Sequence, residues 1–315
     1  MVMKRNVLFI LFALTAFSSC SDFLKEDNKT QYSQDYIFTS EGGLDLAVSA
    51  LYALHRNYLG DDSESNTTWA VERGTDIVMT NGGTGNFYGI YDGNHLKPSA
   101  GQVSRMWSRM YQIIGRCNEI IAAADNMEQT ATLKRIVAEA KAFRAQSYFL
   151  LFRTYDRIWL NTEPVNYLNV NEKRDYHPAT QKEVFDLLYS DLNYAIENLE
   201  WEPVMTGRFN QAAARAILAK VALWKKDWKT ALDMADAFET QSVYSLMKTP
   251  KEVFDKSDLN HSEALLVQQW SENPGGNLDL KTPKGHQFST LFIPKSRSII
   301  GGTDEEACSK ENWGY

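Results

Sequence analysis

Residues 139–155 read EAKAFRAQSYFLLFRTY. Neither Gly nor Pro interrupts them, and Ala, Leu and Arg, all good helix formers, dominate. Traced back to Leu133, the pattern sets Leu133, Val137, Ala140, Arg144, Tyr148, Leu151 and Tyr155 on one stripe of a helix running from about 133 to 155. Arg144 is the odd member. A lone charge on an apolar stripe is costly to bury, so the pattern predicts an ion pair there, with Asp191 as the partner.

Other helices flank this one. Ser40 can cap a helix from Glu41 to about Tyr58, with Leu44, Val48, Leu51 and Leu54 facing inward. A helix from about Val103 to Ala124 aligns Trp107, Tyr111, Ile114, Asn118 and Ile121, where Asn118 reads as a satisfied buried amide. Thr180 and Glu183 form a capping box ahead of Val184, Leu188, Leu192, Ala195 and Leu199. Two more helices follow, one from about Gln211 to Lys225 and one from about Trp228 to Glu239. Ala214, Leu218 and Val221 face Ala231, Leu232 and Ala235 across the Lys226-Asp227 turn. Helix pairs of this size approach the tetratricopeptide period of 34 residues. The expected fold is mainly α: tetratricopeptide-like helix hairpins with long inserted loops and a few short strands, one of them from Glu263 to Trp270. Trp107, Tyr111, Tyr148 and Trp224 are assigned to its core.

Before the helices the chain has a different character. Lys4 and Arg5 precede Val7–Phe17, eleven residues of which only Thr15 is polar, and then Ser18, Ser19 and Cys20. That is the pattern of a secretory signal over residues 1–19, too short to span a bilayer as a helix. Cleavage there makes Cys20 the new first residue and a lipidation candidate. Acyl chains gain about 0.8 kcal/mol per buried methylene and would anchor the body to a membrane. Residues 20–39 read as an irregular lipidated tether, and 40–315 as the helical domain. Of the two remaining cysteines, Cys117 lies in an apolar helical pattern and reads as a buried free thiol rather than a partner for Cys308.

The 315 residues carry 33 Lys and Arg against 40 Asp and Glu, a net charge of −7. An acidic chain is a poor match for nucleic-acid backbones, which need clustered Lys and Arg, so no nucleic acid is expected as a partner. Catalytic and cofactor signatures are missing: there is no G-x-S-x-G, no Walker loop, no C-x-x-C, and no histidine pair at i, i+3 or i, i+4. No cofactor, metal or catalytic residue is assigned, and the reading is of a protein that is not an enzyme.

The long Gly-, Asn- and Asp-rich segment 60–102 is the more informative region, because long loops in ordered domains are commonly functional. Trp69, Phe87, Tyr88 and Tyr91 sit in it at no helical period, among Asp76, Asn81, Asn86 and Asn94. Aromatic faces stack on the apolar faces of sugars, while amides and carboxylates meet the hydroxyls. These eight residues, with Trp270, are the candidate ligand-binding set. The same aromatics could instead pin the loop to the body.

The chain resembles the SusD/RagB family of nutrient-binding outer-membrane lipoproteins. Cys20-Ser21-Asp22-Phe23-Leu24 looks like the family's mature start, and Trp107-x3-Tyr111-x2-Ile114-x2-Cys117-Asn118 is similar to its W-x3-Y-x2-I-x2-A-N helix. Residues 139–155 are similar to its E-A-x-x-L-R-A-x-x-Y-F-x-L-x-x-x-Y helix, and Gly207-Arg208 with Ala212 to Trp228 resembles a third signature. The family has a Gly after that final tyrosine and a Pro soon afterwards, where this chain has Asp156 and Trp159. The resemblance implies capture of oligosaccharides by a lipoprotein on the outer membrane, facing outward. It also implies delivery to a TonB-dependent, SusC-like porin. Members are usually longer, so it further implies that the chain ending at Tyr315 is a truncated product or fragment. Two other readings stay open: a surface glycosidase using loop carboxylates such as Asp76 and Asp92, and a porin-associated scaffold with no glycan affinity.

Overall fold

The computed structural model describes residues 34–60, 101–165, 171–172, 176–254 and 260–268. Among them the order is α1 (Gln34–Thr39), α2 (Glu41–Gly60), α3 (Gly101–Ala124), α4 (Ala131–Thr154), α5 (Gln181–Asn198), α6 (Gln211–Lys225) and α7 (Trp228–Asp236). A 3-10 turn (Ala237–Glu239) and the short α8 (Pro250–Val253) complete it. Neighbours in sequence pack together from α3 to α7, each pair a hairpin, and α2 lies against both α3 and α4. The fold is mainly helical and tetratricopeptide-like, as the spacing predicts.

The helix ends follow from local chemistry. Ser40 accepts from the Gly43 amide at 3.1 Å. Thr180 and Glu183 form the reciprocal capping box, and Asn210 accepts from the Ala213 amide to open α6. Gly43 allows α1 to fold back on α2, because a Cβ there would lie 2.3 Å from the Tyr36 carbonyl oxygen. Residues 34–39, expected as the end of an irregular tether, are therefore a docked helix.

Helix α4 is the axis of the core. Its stripe from Leu133 to Leu151 is buried as expected, and so are Ile136, Ala138, Glu139, Ala142, Phe143, Ala145, Ser147 and Phe149. A helix covered on nearly every side needs apolar or small residues all round, which is why 139–155 dominates the sequence reading. Helix α3 likewise buries Met106, Met110, Ile113, Cys117 and Ile120 beside the predicted Ile114 and Asn118. Cys117 is a free, buried thiol, and burial raises its pKa.

Three expectations are corrected. No strand occurs among the described residues, and 263–268 of the expected strand are irregular. Their polar groups go elsewhere: Leu265 gives its carbonyl to the Asn210 side chain, and the Glu263 carboxylate accepts from the Met247 amide. Trp224, assigned to the core, is 52% exposed, and its ring meets those of Phe149 and Phe152 edge-on. Leu232 and Ala235 face outward, because the inner stripe of α7 runs through Thr230, Ala231 and Met234.

Candidate functional site

Two buried charge networks hold the bundle. In the first, Arg144 donates from Nε to Asp191 Oδ2 at 2.7 Å and from Nη2 to Oδ1 at 2.8 Å. Lys141 adds a third bond to that carboxylate at 3.0 Å. The pair predicted from the stripe is present in bidentate form. Burial works against charge on Arg144, but Asp191 outweighs it and raises the guanidinium's pKa.

The third guanidinium nitrogen of Arg144 leads toward a loop. Nη1 donates to Asn118 Oδ1 at 2.9 Å, which fixes that amide so that its Nδ2 donates to the carbonyls of Asn161 (2.8 Å) and Glu163 (3.3 Å). Tyr148 bonds the same loop residue twice: its hydroxyl donates to the Asn161 carbonyl at 2.8 Å and accepts from the Asn161 amide at 2.8 Å. Tyr111 repeats the arrangement on Trp159, donating to its carbonyl at 2.7 Å and accepting from its amide at 2.9 Å. A phenol can do both only while protonated. Burial raises the pKa of Tyr148 and of Tyr111, outweighing the backbone amides that donate to their oxygens. The apolar-looking signature of α3 and α4 is thus a clamp on residues 159–163.

The clamped loop lies where several elements end. Tyr155, at the close of α4, donates to the Val103 carbonyl at 2.5 Å, and its ring meets Trp107 edge-on at 5.0 Å. Helix α2 runs alongside α4 in the same direction, Asp45 facing Arg135 and Tyr52 facing Glu139. The C-terminus of α2, the N-terminus of α3 and the α4–α5 loop therefore share one end of the bundle. The segment joining α2 to α3 leaves and returns at this end.

Aromatic rings accumulate here. Trp107 and Tyr111 are 4.8 Å apart, Trp159 stacks over Tyr111 at 6.5 Å with 22° between planes, and Tyr176 leans on Trp159 at 4.7 Å. Trp159 and Tyr176 are absent from the candidate set drawn from sequence. Both lie in a connection with no period, and only Trp159's departure from the family pattern marks the place. The candidate residues Trp69, Asp76, Asn81, Asn86, Phe87, Tyr88, Tyr91 and Asn94, together with Asp92, Trp270 and the lipidation candidate Cys20, lie outside the described residues.

The second network spans the seam between α2, α4 and the start of α6. Arg208 donates to Asp45 at 2.7 Å, to Glu139 at 3.3 Å and to Ser49 at 2.5 Å. Arg135 pairs with both carboxylates, and Tyr52 donates to Glu139 at 2.6 Å while accepting from the Phe209 amide at 2.6 Å. Gly207, at φ 87°, makes the turn that aims Arg208 inward. Burial raises Glu139's pKa despite its cationic neighbours. At Asp45 burial pushes the same way, but Arg208 and Arg135 prevail and lower it. Both carboxylates are committed to neighbours rather than poised for proton transfer. Among the described residues no group of three or more His, Cys, Asp or Glu could hold a metal, and no helix is long and apolar enough to cross a membrane.

Comparison with known proteins places this geometry. A family model described as "Starch-binding associating with outer membrane" matches residues 22–223. A SusD-like protein of Bacteroides ovatus is 28% identical over 296 residues, covering 85% of this chain and 50% of that protein. SusD-like protein P25 of Formosa agariphila is 25% identical, covering 93% of this chain and 59% of its own length. The chain thus spans about half the length of the curated relatives it matches. A solved laminarin-binding SusD-like protein superposes with a TM-score of 0.69 at 25% identity, over 82% of this chain and 58% of that one. The match over residues 22–223 and the superposition of the helical scaffold agree: the chain belongs to the SusD-like family.

Proposed function

We propose that the protein is a non-catalytic glycan-binding lipoprotein. It captures oligosaccharide at the outside of the outer membrane, held there by lipid on Cys20, and passes it to a SusC-like TonB-dependent transporter. The ligand surface is assigned to the bundle end that carries the clamped loop. The candidate residues are Trp69, Asp76, Asn81, Asn86, Phe87, Tyr88, Tyr91 and Asn94 from the α2–α3 segment, and separately Trp270 from the later part of the chain. The observation that carries the reading is the likeness to a laminarin-binding relative across the helical body.

The test is native electrophoresis of the purified chain in gels containing laminarin, starch or xyloglucan, with a reducing-sugar assay on the same mixtures. The expected result is retardation in at least one polysaccharide and no release of reducing ends. Steady product release would establish the glycosidase reading instead. Co-purification with the transporter, without retardation in any gel, would establish the scaffold reading.

A further inference from the structure

Trp159 and Tyr176 differ from the other aromatic residues at this end of the bundle. Trp107, Tyr111 and Tyr155 pack against the core, whereas Tyr176 is 68% exposed although its ring rests on the Trp159 indole at 4.7 Å. Trp159 is itself unusually well fixed for a loop residue. Its amide and its carbonyl are both held by the Tyr111 hydroxyl, and its ring lies over the Tyr111 ring with only 22° between planes. Behind Tyr111 the loop is held again at Asn161 by Tyr148 and Asn118, and so by the buried Arg144–Asp191 pair. The half-buried Trp159 ring is therefore set before any ligand arrives, and the exposed Tyr176 ring rests on it to complete a shelf.

We infer that the Trp159–Tyr176 shelf is a carbohydrate-stacking subsite that receives a pyranose ring of a bound oligosaccharide. The inference rests on the glycan-binding reading above and adds to it residues that no motif assigns. Ring stacking on sugar C–H faces needs flat, exposed aromatic surface. Such surface is most effective when rigid, because little side-chain freedom is then lost on binding. Hydroxyls need polar groups at the margin. Asp156 and Arg157, three and two residues before Trp159, are 95% and 78% exposed and joined by a loose 3.5 Å contact. An exposed pair of this kind contributes little to stability and exchanges readily for sugar hydroxyls. Two rings also match the size of one or two sugar units, and fall far short of the roughly 1,200 Å² that a stable protein–protein interface buries.

Isothermal titration of the full chain with laminarin, starch and xyloglucan oligosaccharides tests the assignment. The variants are Tyr176→Ala, Trp159→Ala and Trp159→Phe, with thermal unfolding measured on each. For a glycan that the parent binds, Tyr176→Ala and Trp159→Ala should weaken binding about threefold to tenfold, and Trp159→Phe should stay within about twofold. If both alanine variants bind as tightly as the parent, the shelf is not a subsite and the glycan-binding reading survives. If the parent binds none of the three, the reading itself fails and the shelf with it. Should Trp159→Ala unfold, Tyr176→Ala decides, since its ring is 68% exposed.

Discussion

The two buried charge networks are built from the same materials and end on different things. At the seam of α2, α4 and the turn leading into α6, Arg135 and Arg208 neutralise Asp45 and Glu139, and these charged bonds run between side chains of the two helices and that turn. At the junction of α3, α4 and α5, Arg144 neutralises Asp191, but the last bonds leave the helices and land on loop carbonyls through Asn118. The first network sets helix register. The second carries the stiffness of the core out to a loop at the bundle end. Buried ion pairs seldom add much net stability over well-packed apolar residues, so where their final hydrogen bond lands is the better guide to their use.

The largest effect expected from breaking this comparison is at Arg144. Arg144→Met leaves the fully buried Asp191 with only Lys141 and should cost about 3–5 kcal/mol of unfolding free energy in urea. Arg208→Met should cost less, about 2–3 kcal/mol, because Asp45 is 38% exposed and Arg135 remains beside it. A reversed order would mean that the seam, not the loop clamp, is the critical network.

Acid sharpens the contrast on the seam side. His55 on α2 lies 5.7 Å from the Phe143 ring, and burial lowers its pKa from 6.5 to about 4. The unfolded chain therefore binds that proton more readily than the folded one. Stability is full above pH 6.5 and falls as pH drops toward 4, by about 2 kcal/mol after allowing for solvent screening. Asp45, whose pKa is lowered, adds stability that is present above 3.8 and lost as pH falls through its folded value. Urea curves at pH 7 and pH 4.5 should differ for the parent and nearly coincide for His55→Leu.

Smaller still are the paired tyrosines. Tyr52→Phe removes a bond to Glu139 and one from the Phe209 amide, whereas Tyr148→Phe removes two bonds to Asn161. Each should cost about 1–2 kcal/mol. Only Tyr148→Phe should speed hydrogen exchange at the Asn161 amide while leaving the α2–α4 seam unchanged.

Much of the scaffold was readable because helical period and caps are local. The Thr180–Glu183 box, the α6 span and the buried stripe of α4 each rest on residues within a few positions of one another. Arg144 could be paired with Asp191 because an isolated charge on an apolar stripe demands a partner. Arg208 offered no such clue: it follows a glycine in a stretch with no helical period and meets Asp45 across 163 residues. Trp224 misled because helical spacing gives a face but not whether anything covers it. The loop clamp was invisible for a different reason. Tyr111 and Tyr148 look like core residues, and their hydroxyls show their use only once the chain's return at Trp159 and Asn161 is known.

Asn118 is the single link between the buried ion pair and the loop, which makes Asn118→Ala the most direct probe of the clamp. Hydrogen exchange followed by mass spectrometry on the parent and this variant should show protection lost across residues 158–163, with α4 and α5 exchanging as before. Unchanged protection of that loop in a folded Asn118→Ala protein would contradict the clamp. The loop would then owe its shape to Tyr111, Tyr148 and its own sequence, and not to the charges buried beneath it.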